Sequence, residues 1–313
     1  MKSAFVFPGQ GSQSVGMLAD LAAEYALVKE TFAEASDALD YDLWQLVSEG
    51  PEDQLNQTDK TQPAMLTAGI AVWRVWQSVA TTKPDYFAGH SLGEYTALVA
   101  ANALDFADAV KLVEMRGRYM QEAVPAGEGA MAAILGLEDQ VVRELCADAA
   151  ANGVVEAVNY NSPGQVVIAG SANAVKHAIE IATEKGAKRA LLLPVSVPSH
   201  CALMKPAAQQ LTDALNNIRV QLPTTPVIHN ASVTVATDAA QIKQLLAEQL
   251  FSPVRWVETI QWFAAQDVSN IVECGPGKVL AGLNKRIDKS LNAMPLFDSA
   301  TLQKTQQALG EGS

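Results

Sequence analysis

Short apolar stretches alternate with longer amphipathic segments along most of the chain. The short stretches are rich in β-branched and aromatic residues and predict strands at Ala4–Phe7, Tyr86–Ala88, Met131–Leu135, Val154–Val158, Gln165–Ala169, Ala190–Pro194, Val227–His229 and Asn270–Glu273. Between them, apolar residues follow helical spacing, as in Phe106–Ala123 and in Ala64–Val79, where Pro63 suits the first turn of a helix. Strands that alternate with helices predict the α/β class with a mainly parallel sheet.

One interval has a different order of elements. From about Ala130 to Pro194 the pattern is strand, helix, strand, strand, helix, strand, with a turn at Asn161–Gly164 between the middle strands. This β-α-β-β-α-β order predicts a ferredoxin-like subdomain over residues 129–195, inserted into a large domain formed by residues 1–128 and 196–313. The polar segment after about Leu296 predicts a loosely held C-terminal tail.

Composition narrows the classes of function. The chain has 313 residues, 49% of them hydrophobic, and its 22 Lys and Arg against 34 Asp and Glu give a net charge of −12. Nucleic-acid binding rewards basic surfaces, so this charge argues against it. The apolar stretch Ala4–Phe7 is too short for a signal peptide, and no apolar run approaches the roughly 18 residues that span a bilayer. Three scattered cysteines suit reduced thiols, and we expect a cytoplasmic protein without a membrane span.

Two short basic clusters stand out against the negative net charge. They consist of Lys185, Lys188 and Arg189, and of Lys278, Lys285, Arg286 and Lys289. Together they could form a patch for an acidic partner, or each could be an ordinary solvated face.

The segment Gly89–Gly93 reads G-x-S-x-G between a predicted strand and the helical stretch Glu94–Ala101. A strained strand-to-helix turn of this kind presents the serine hydroxyl, so the pattern predicts Ser91 as a nucleophile. The alternative is a helix N-terminus at which Ser91 caps and Glu94 completes a capping box.

A serine nucleophile needs a base, and the chain has four histidines. His200 is favoured because it lies in a loop between a predicted strand and a helix, where site residues gather in α/β proteins. His177 lies on an amphipathic helix, and His90 adjoins the serine in a turn that should direct it elsewhere. His229, at the end of a strand, remains the alternative base.

The loop Phe7–Gln13 follows the first predicted strand and contains two glycines. It lacks the third glycine and the later acidic residue of a dinucleotide fingerprint. A glycine-flanked loop at a strand end can instead present a backbone N–H to an oxyanion. We therefore expect the N–H groups of Gln10 and Leu92 to form an oxyanion hole.

Arg116 lies on the apolar face of the predicted helix Phe106–Ala123. Its neighbours at helical spacing are Leu112, Val113, Tyr119 and Met120. A guanidinium directed into a protein interior is costly unless it meets an anion, and its planar fork suits a carboxylate. The alternatives are a buried structural ion pair or a stem that extends to solvent.

With these segments assembled, the chain resembles the FabD-type malonyl-CoA:acyl carrier protein transacylase family over nearly its whole length. The signatures, in the family's order, are Phe7–Gln13, Gly89–Tyr95, Glu114–Gly117, Gly129–Met131, Asn161–Gln165, Val197–Cys201 and Glu273–Gly277. The resemblance implies an α/β-hydrolase-like large domain with a ferredoxin-like insertion.

The resemblance also implies roles for individual residues. Ser91 would be acylated, His200 would act as its base, and the backbone carbonyl of Gln249 would orient His200. Arg116 would hold the malonyl carboxylate, beside the oxyanion hole of Gln10 and Leu92. The remaining matches are Met120, Met131 and Ser199 in the acyl pocket, Asn161 as a polar residue near the site, and Lys188, Arg189, Lys285 and Arg286 in a region that docks acidic carrier protein.

The implied activity is transfer of a malonyl group from malonyl-CoA to the phosphopantetheine thiol of acyl carrier protein, through malonyl-Ser91, for fatty acid synthesis. The family's pattern implies a monomer without a metal or cofactor. Service to a polyketide or polyunsaturated fatty acid synthase, a serine thioesterase, and a catalytically silent module that binds carrier protein remain alternatives. Arg116 and the basic clusters favour transfer of a carboxylated acyl group over hydrolysis of a neutral ester.

Overall fold

The computed structural model describes residues 1–195 and 197–310. The described strands are β1 (Lys2–Phe7), β2 (Tyr86–Gly89), β3 (Gly129–Leu135), β4 (Val155–Ser162), β5 (Gln165–Ser171), β6 (Arg189–Leu192), β7 (Val227–Ile228), β8 (Val268–Cys274) and β9 (Asn292–Leu296). The described α-helices are α1 (Ala19–Glu24), α2 (Ala26–Leu39), α3 (Leu43–Glu49), α4 (Glu52–Leu55), α5 (Thr58–Val79), α6 (Gly93–Ala100), α7 (Phe106–Glu122), α8 (Asp139–Ala149), α9 (Ala172–Glu184), α10 (Lys205–Asn216), α11 (Ala239–Glu248), α12 (Trp256–Ala265), α13 (Val279–Ile287) and α14 (Ser299–Ala308). Short 3₁₀ turns lie at Ala150–Asn152, Ala202–Met204 and Gln249–Phe251.

The larger sheet has the order β7-β2-β1-β8-β9, and all its strand pairs are parallel. The predicted α/β class with a mainly parallel sheet is therefore confirmed. Phe7 pairs with Gly89, so the carboxyl ends of β1 and β2 lie side by side. Strand β2, the next in the chain, pairs with one side of β1, whereas β8 pairs with the other side. Loops at such a reversal of strand order commonly form binding sites in open α/β sheets.

Alternating side chains of β1 supply two cores. Phe5 and Phe7 pack with α5, α6 and α7 on one face, while Ala4 and Val6 pack with α12 and α13 on the other. Successive side chains of a strand point to opposite faces, so this alternation makes a layer of helices on each side of the sheet. The paired layers hold the carboxyl edge of the sheet, where the first two strands end, in a fixed position.

The smaller sheet is antiparallel, with the order β4-β5-β3-β6. Together with α8 and α9, its strands follow the predicted β-α-β-β-α-β order of a ferredoxin-like unit. The predicted domain boundaries stay a prediction; residue 196 and residues 311–313 lie outside the described residues.

The two faces of the smaller sheet have different neighbours. Ala132 and Ile134 pack against α8 and α9. Met131 and Val167 point to the opposite face, where they pack with Cys201 from the chain that follows β6. This second face forms one wall of the candidate site.

Two details of the sequence prediction are wrong. Helix α5 begins at Thr58, so Pro63 lies inside the helix and not in its first turn. The preceding turn was missed because it carries buried polar residues, such as Thr61 and Gln62, in place of an apolar repeat. The tail after Leu296 forms α14, which a reciprocal capping box of Asp298 and Thr301 begins.

The same C-terminal region contributes β9, which pairs with β8 at the edge of the larger sheet. Helix α14 then buries Leu302 and Thr305. Among the described helices, none combines the length and apolar character required to cross a membrane.

Candidate active site

Ser91 lies in the sharp turn between β2 and α6, with a backbone φ of 52°. Glycines allow two close approaches around this turn. A Cβ atom placed on Gly93 would lie 2.0 Å from the carbonyl oxygen of Phe7, and one placed on Gly9 would lie 2.5 Å from that of His90. Any side chain at these positions would push the turn away from the end of β1. The glycines therefore hold the two loops together and present the Ser91 hydroxyl.

The Ser91 hydroxyl contacts His200. Its Oγ lies 2.7 Å from Nε2, while Nδ1 of the same ring lies 2.8 Å from the backbone carbonyl oxygen of Gln249. A carbonyl only accepts hydrogen bonds, so the proton of a neutral ring belongs on Nδ1. Nε2 then carries a lone pair directed at the serine hydroxyl, which is the geometry that a general base requires.

The surroundings of His200 keep its ring neutral. Burial, followed by the positive charge of Arg116, lowers the pKa of His200 to about 3, although the Gln249 carbonyl opposes this shift. Burial disfavours the charged imidazolium, and a nearby cation adds to that effect. At neutral pH the ring is therefore ready to accept the Ser91 proton.

Arg116 projects from α7 into the interior with only 1% of its surface exposed. Its Nη1 donates to Gln62 Oε1 at 2.8 Å, and its Nη2 donates to Gln249 Oε1 at 3.0 Å and to Ser91 Oγ at 3.4 Å. Nε has no hydrogen-bond partner among the described residues. The guanidinium is thus held by neutral oxygens beside the Ser91 hydroxyl.

This environment excludes both alternatives for Arg116. In the part of the chain that the structure describes, no carboxylate forms a salt bridge with it. Its near-complete burial also excludes a stem that extends to solvent. A buried guanidinium with a free donor and no acidic partner can accept a carboxylate ligand.

Ser91 opens into a cavity of about 130 Å³. The predicted site residues in its wall are Gln10, Ser91, Leu92, Arg116, Met120, Met131, Ser199 and His200. A Cβ on Gly9 would lie 3.8 Å from the Leu92 nitrogen, which places the Gln10 loop against the start of α6. Gln10 and Leu92, the expected oxyanion donors, therefore lie close to Ser91.

Asn161 does not line the cavity, but its Oδ1 lies 2.8 Å from Nε2 of His90, which does line it. Asn159, two positions earlier on β4, lines the cavity instead, and its buried Oδ1 has no hydrogen-bond partner among the described residues. Irregularities in the pairing of β4 with β5 on both sides of Asn159 alter the simple alternation that the sequence suggests.

The remaining histidines and the capping alternative have clear outcomes. His177 is exposed and lies 3.1 Å from Glu180, whereas His229 is buried with Nδ1 2.7 Å from Glu94 Oε1. Neither histidine contacts Ser91. Helix α6 has no side-chain cap, which excludes the alternative of a Ser91–Glu94 capping box.

The basic residues expected at a docking region are exposed at one end of the smaller sheet. Leu135 of β3 pairs with Gln165 on one side and with Arg189 on the other. Arg286 Nη1 donates to Gln165 Oε1 at 3.0 Å. Because two strand spacings are about 10 Å, the two basic clusters are neighbours in space.

Comparison with known proteins gives the same family along the whole chain. The acyl transferase domain family matches residues 4–308. A malonyl CoA-acyl carrier protein transacylase from Salmonella typhimurium is 58% identical over 96% of this chain and 97% of its own length. The chain belongs to the acyl transferase family, among the malonyl CoA-acyl carrier protein transacylases.

Solved structures of this family share the fold. An acyl carrier protein S-malonyltransferase from Vibrio cholerae superposes with a TM-score of 0.95 at 58% identity, covering 97% of this chain and all (100%) of that one. A malonyl-transacylase in complex with a holo type II polyketide acyl-carrier protein gives 0.97 at 52% identity, covering 98% and 100%. The expected family and fold are therefore confirmed.

Several residues of this site have no simple sequence signal. Gln62, Glu94 and Asn230 are buried polar residues in contact with the groups around Ser91. A polar residue within a predicted helix or beside a strand can equally face solvent. Within residues 1–195 and 197–310, no cluster of His, Cys, Asp and Glu has the arrangement of a metal site.

Proposed function

We propose that the chain transfers a malonyl group from malonyl-CoA to the phosphopantetheine thiol of an acyl carrier protein, through a malonyl ester on Ser91. The observation that carries the proposal is the buried Arg116 guanidinium, which forms no salt bridge with an acidic residue in the described part of the chain and donates to Ser91 Oγ at 3.4 Å. A cation fixed beside the nucleophile suits an acyl group that ends in a carboxylate. The names of the relatives support the same substrate and acceptor.

In the first half-reaction, Ser91 Oγ attacks the thioester carbonyl of malonyl-CoA while His200 Nε2 takes the hydroxyl proton. The carbonyl oxygen becomes negative and receives hydrogen bonds from the Gln10 and Leu92 N–H groups. The C–S bond then breaks, and the coenzyme A thiolate leaves with the proton that His200 held. The product is malonyl-Ser91.

In the second half-reaction, the carrier thiol gives its proton to His200 and attacks the malonyl ester. The C–O bond to Ser91 breaks, and the Ser91 oxygen recovers the proton from His200. The same oxyanion hole serves both halves. Each step uses groups of this chain, malonyl-CoA and the carrier thiol, so the proposal requires no cofactor, and a monomer is sufficient.

The cavity supports selectivity for a short acyl group. Arg116 would bind the malonyl carboxylate, whereas Met120, Met131 and Ser199 form walls around the rest of the acyl chain. A charge-assisted hydrogen bond of this kind contributes about 1.5–3 kcal/mol. An acetyl group fits the same space but gains nothing from the guanidinium.

The exposed edge of the smaller sheet supports docking of an acidic carrier protein. Lys188 and Arg189 lie at the start of β6, and Lys285 and Arg286 lie on α13 nearby. The Leu193 N–H, just after β6, donates to the Met131 carbonyl at 2.9 Å, and both residues line the cavity. This strand therefore leads from the basic patch to the nucleophile.

The test is intact-protein mass spectrometry after incubation with malonyl-CoA, followed by phosphopantetheinylated carrier protein, for the wild type and Ser91→Ala. The proposal predicts a malonyl adduct on the wild type alone, which then passes to the carrier protein. Release of free malonate without carrier product would identify a thioesterase. Absence of any adduct with any acyl-CoA would identify a silent binding module.

The pathway that receives the malonyl group is tested with the same assay. We propose a cytoplasmic role in fatty acid synthesis, and a carrier protein of that pathway should accept malonate with a higher kcat/KM than a polyketide carrier protein. The polyketide carrier protein is included because one relative was solved in complex with a type II polyketide acyl-carrier protein. A preference for that carrier would reassign the chain to polyketide synthesis.

A further inference from the structure

Glu94 is a buried carboxylate that the proposed chemistry does not use. It lies in the first turn of α6, three positions after the nucleophile, and only 1% of its surface is exposed. One oxygen, Oε1, lies 2.7 Å from His229 Nδ1. The other, Oε2, accepts hydrogen bonds from the backbone N–H of Asn230 at 2.9 Å and from Gln249 Nε2 at 2.8 Å. Such a desolvated carboxylate is kept only where its partners fix it.

The contact with Gln249 sets the orientation of the Gln249 side-chain amide. Its Nε2 donates to Glu94 Oε2 and also to the Ser91 carbonyl oxygen at 2.9 Å. A carboxylate and a carbonyl can only accept, so the NH₂ end of the amide must face them. The Oε1 end is then left to accept from Arg116 Nη2 at 3.0 Å. A flipped amide would place NH₂ against the guanidinium, where donor meets donor.

The contact with Asn230 reaches the nucleophile from the other side. While its backbone N–H binds Glu94, its side-chain Oδ1 accepts the Ser91 N–H at 2.7 Å and its Nδ2 donates to the Gly89 carbonyl at 2.7 Å. Both ends of this amide are therefore committed to the turn that holds the serine. One carboxylate thus fixes the groups that position Ser91 and those that position Arg116.

The Gln249 amide separates Glu94 from Arg116, and this arrangement has an electrostatic consequence. Burial lowers the pKa of Arg116, and the negative charge of Glu94 is among the effects that oppose this shift. Because an amide separates the two, Glu94 favours the charged guanidinium without occupying the donors that a substrate needs. A direct ion pair would compete with a carboxylated acyl group for the same fork.

We propose that Glu94 is a positioning residue for carboxylate selectivity: its acceptor-only carboxylate orients the Gln249 amide, which holds the Arg116 guanidinium beside Ser91 to receive the acyl carboxylate. The inference rests on the proposed function, because it concerns the malonyl end of that substrate. Gln249 would then have two roles. Its side-chain amide connects Glu94 to Arg116 as a relay, and its backbone carbonyl orients His200.

The primary test is Glu94→Gln, which preserves size but replaces an acceptor oxygen by an NH₂ donor and removes the negative charge, so the Gln249 amide loses its acceptor-only partner and Arg116 loses a charge that favours its charged form. Initial rates of Ser91 acylation are measured with malonyl-CoA and with acetyl-CoA. The expected result is a fall of about tenfold or more in the malonyl-to-acetyl ratio of kcat/KM, mainly through KM for malonyl-CoA. An unchanged ratio would overturn the proposal, even if both rates fell.

A matched control separates selectivity from general damage. Glu273→Gln alters another fully buried glutamate, whose oxygens accept the backbone N–H groups of Leu280 at 3.0 Å and Ala281 at 2.7 Å, away from the cavity. This variant should keep the wild-type ratio. If it lowered the ratio as much as Glu94→Gln does, the effect would come from loss of a buried carboxylate in general, and the proposal would fail.

A second variant keeps the test decisive if Glu94→Gln does not fold. Gln249→Met removes the relay amide while it retains side-chain length and the backbone carbonyl for His200. It should lower the malonyl-to-acetyl ratio by a similar factor, and an unchanged ratio would overturn the relay. Failure of wild-type Ser91 to take up malonate would instead refute the proposed function, so the two failures are distinguishable.

Discussion

The carboxyl edge of the parallel sheet and the outer edge of the smaller sheet lead into the same cavity but are built differently. At the first edge, polar groups such as His200, Gln249 and Arg116 are buried and hold one another through hydrogen bonds. At the second, β6 pairs only with β3 among the described strands and exposes Leu191 and Leu192, at 53% and 51%. The contrast fits the proposal that the chemistry takes place in a preorganised buried set of polar groups and that a macromolecular partner binds at a separate, exposed edge.

Removal of the proposed base, His200, should have the largest effect. His200→Ala should lower the rate of Ser91 acylation by about 10⁴-fold or more, because no second histidine contacts the serine hydroxyl. Single-turnover acylation by malonyl-CoA measures this rate, and binding of carrier protein, measured separately, should not change. Residual acylation within tenfold of the wild type would show that another group acts as base.

Replacement of the guanidinium should have a smaller and selective effect. Arg116→Ala removes a charge-assisted contact worth about 1.5–3 kcal/mol, so kcat/KM for malonyl-CoA should fall by about ten- to a hundredfold. Acetyl transfer should change much less, because an acetyl group has no carboxylate. Equal losses for the two acyl-CoA substrates would contradict the assignment of Arg116 to the malonyl carboxylate.

Charge reversal at the sheet edge should affect only the second half-reaction. Lys188→Glu combined with Arg189→Glu is expected to raise KM for the carrier protein by about tenfold, since each surface charge contributes about 1 kcal/mol or less. Acylation of Ser91 by malonyl-CoA should keep its wild-type rate. The control is Lys83→Glu. Lys83 is exposed just before the amino end of β2, away from the carboxyl edge of the parallel sheet, and its substitution should leave both steps unchanged.

The pH dependence offers a further test of the buried set. Arg116 contributes to lowering the pKa of His200, so in Arg116→Ala the acidic limb of acetyl transfer should move to higher pH. Burial is the larger cause, so the limb should remain below the usual histidine value of 6.5. A limb that moves to lower pH, measured from kcat/KM between pH 4 and 8, would show that the charge of Arg116 acts in the other direction.

Local pattern predicts the parts of the site that depend on neighbours in sequence. Strand, glycine turn and helix identify Ser91, a loop between strand and helix favours His200, and helical spacing directs Arg116 inward. These inferences need only the periodicity of one element or its ends. The same reasoning gives the α/β class and the order of elements in the smaller sheet.

Other parts depend on contacts between distant segments. Glu94 and Gln249 are 155 positions apart, and neither has a local pattern that predicts their hydrogen bond. Asn159 and Asn161 lie two positions apart on one strand, and Asn159 is the one that lines the cavity. The register of this strand with β5 shifts on both sides of Asn159, and a local sequence pattern does not show such shifts. The C-terminal helix α14 was missed because its buried face, with Leu302 and Thr305, is narrow in a polar segment.

Glu273 is a buried glutamate at the same carboxyl edge of the sheet as the proposed catalytic residues, and we expect its substitution to leave activity unchanged. Glu273 lies near the carboxyl end of β8, where burial raises its pKa to about 7 against the backbone N–H groups that lower it. Because the folded-state pKa of Glu273 is above the usual 4.5, its protonated form contributes its full stability below pH 4.5. This contribution is lost as the pH rises through about 7.

Glu273→Gln, which cannot ionise, should therefore lose less free energy of unfolding than the wild type between pH 5 and 8, by on the order of 1–3 kcal/mol. Urea unfolding at several pH values measures this difference, and malonyl transfer at pH 7 should equal that of the wild type. Parallel stability curves would show that Glu273 is ionised throughout the range. A lower rate of transfer would instead show that Glu273, through its hydrogen bonds to the start of α13, helps to position the proposed catalytic residues.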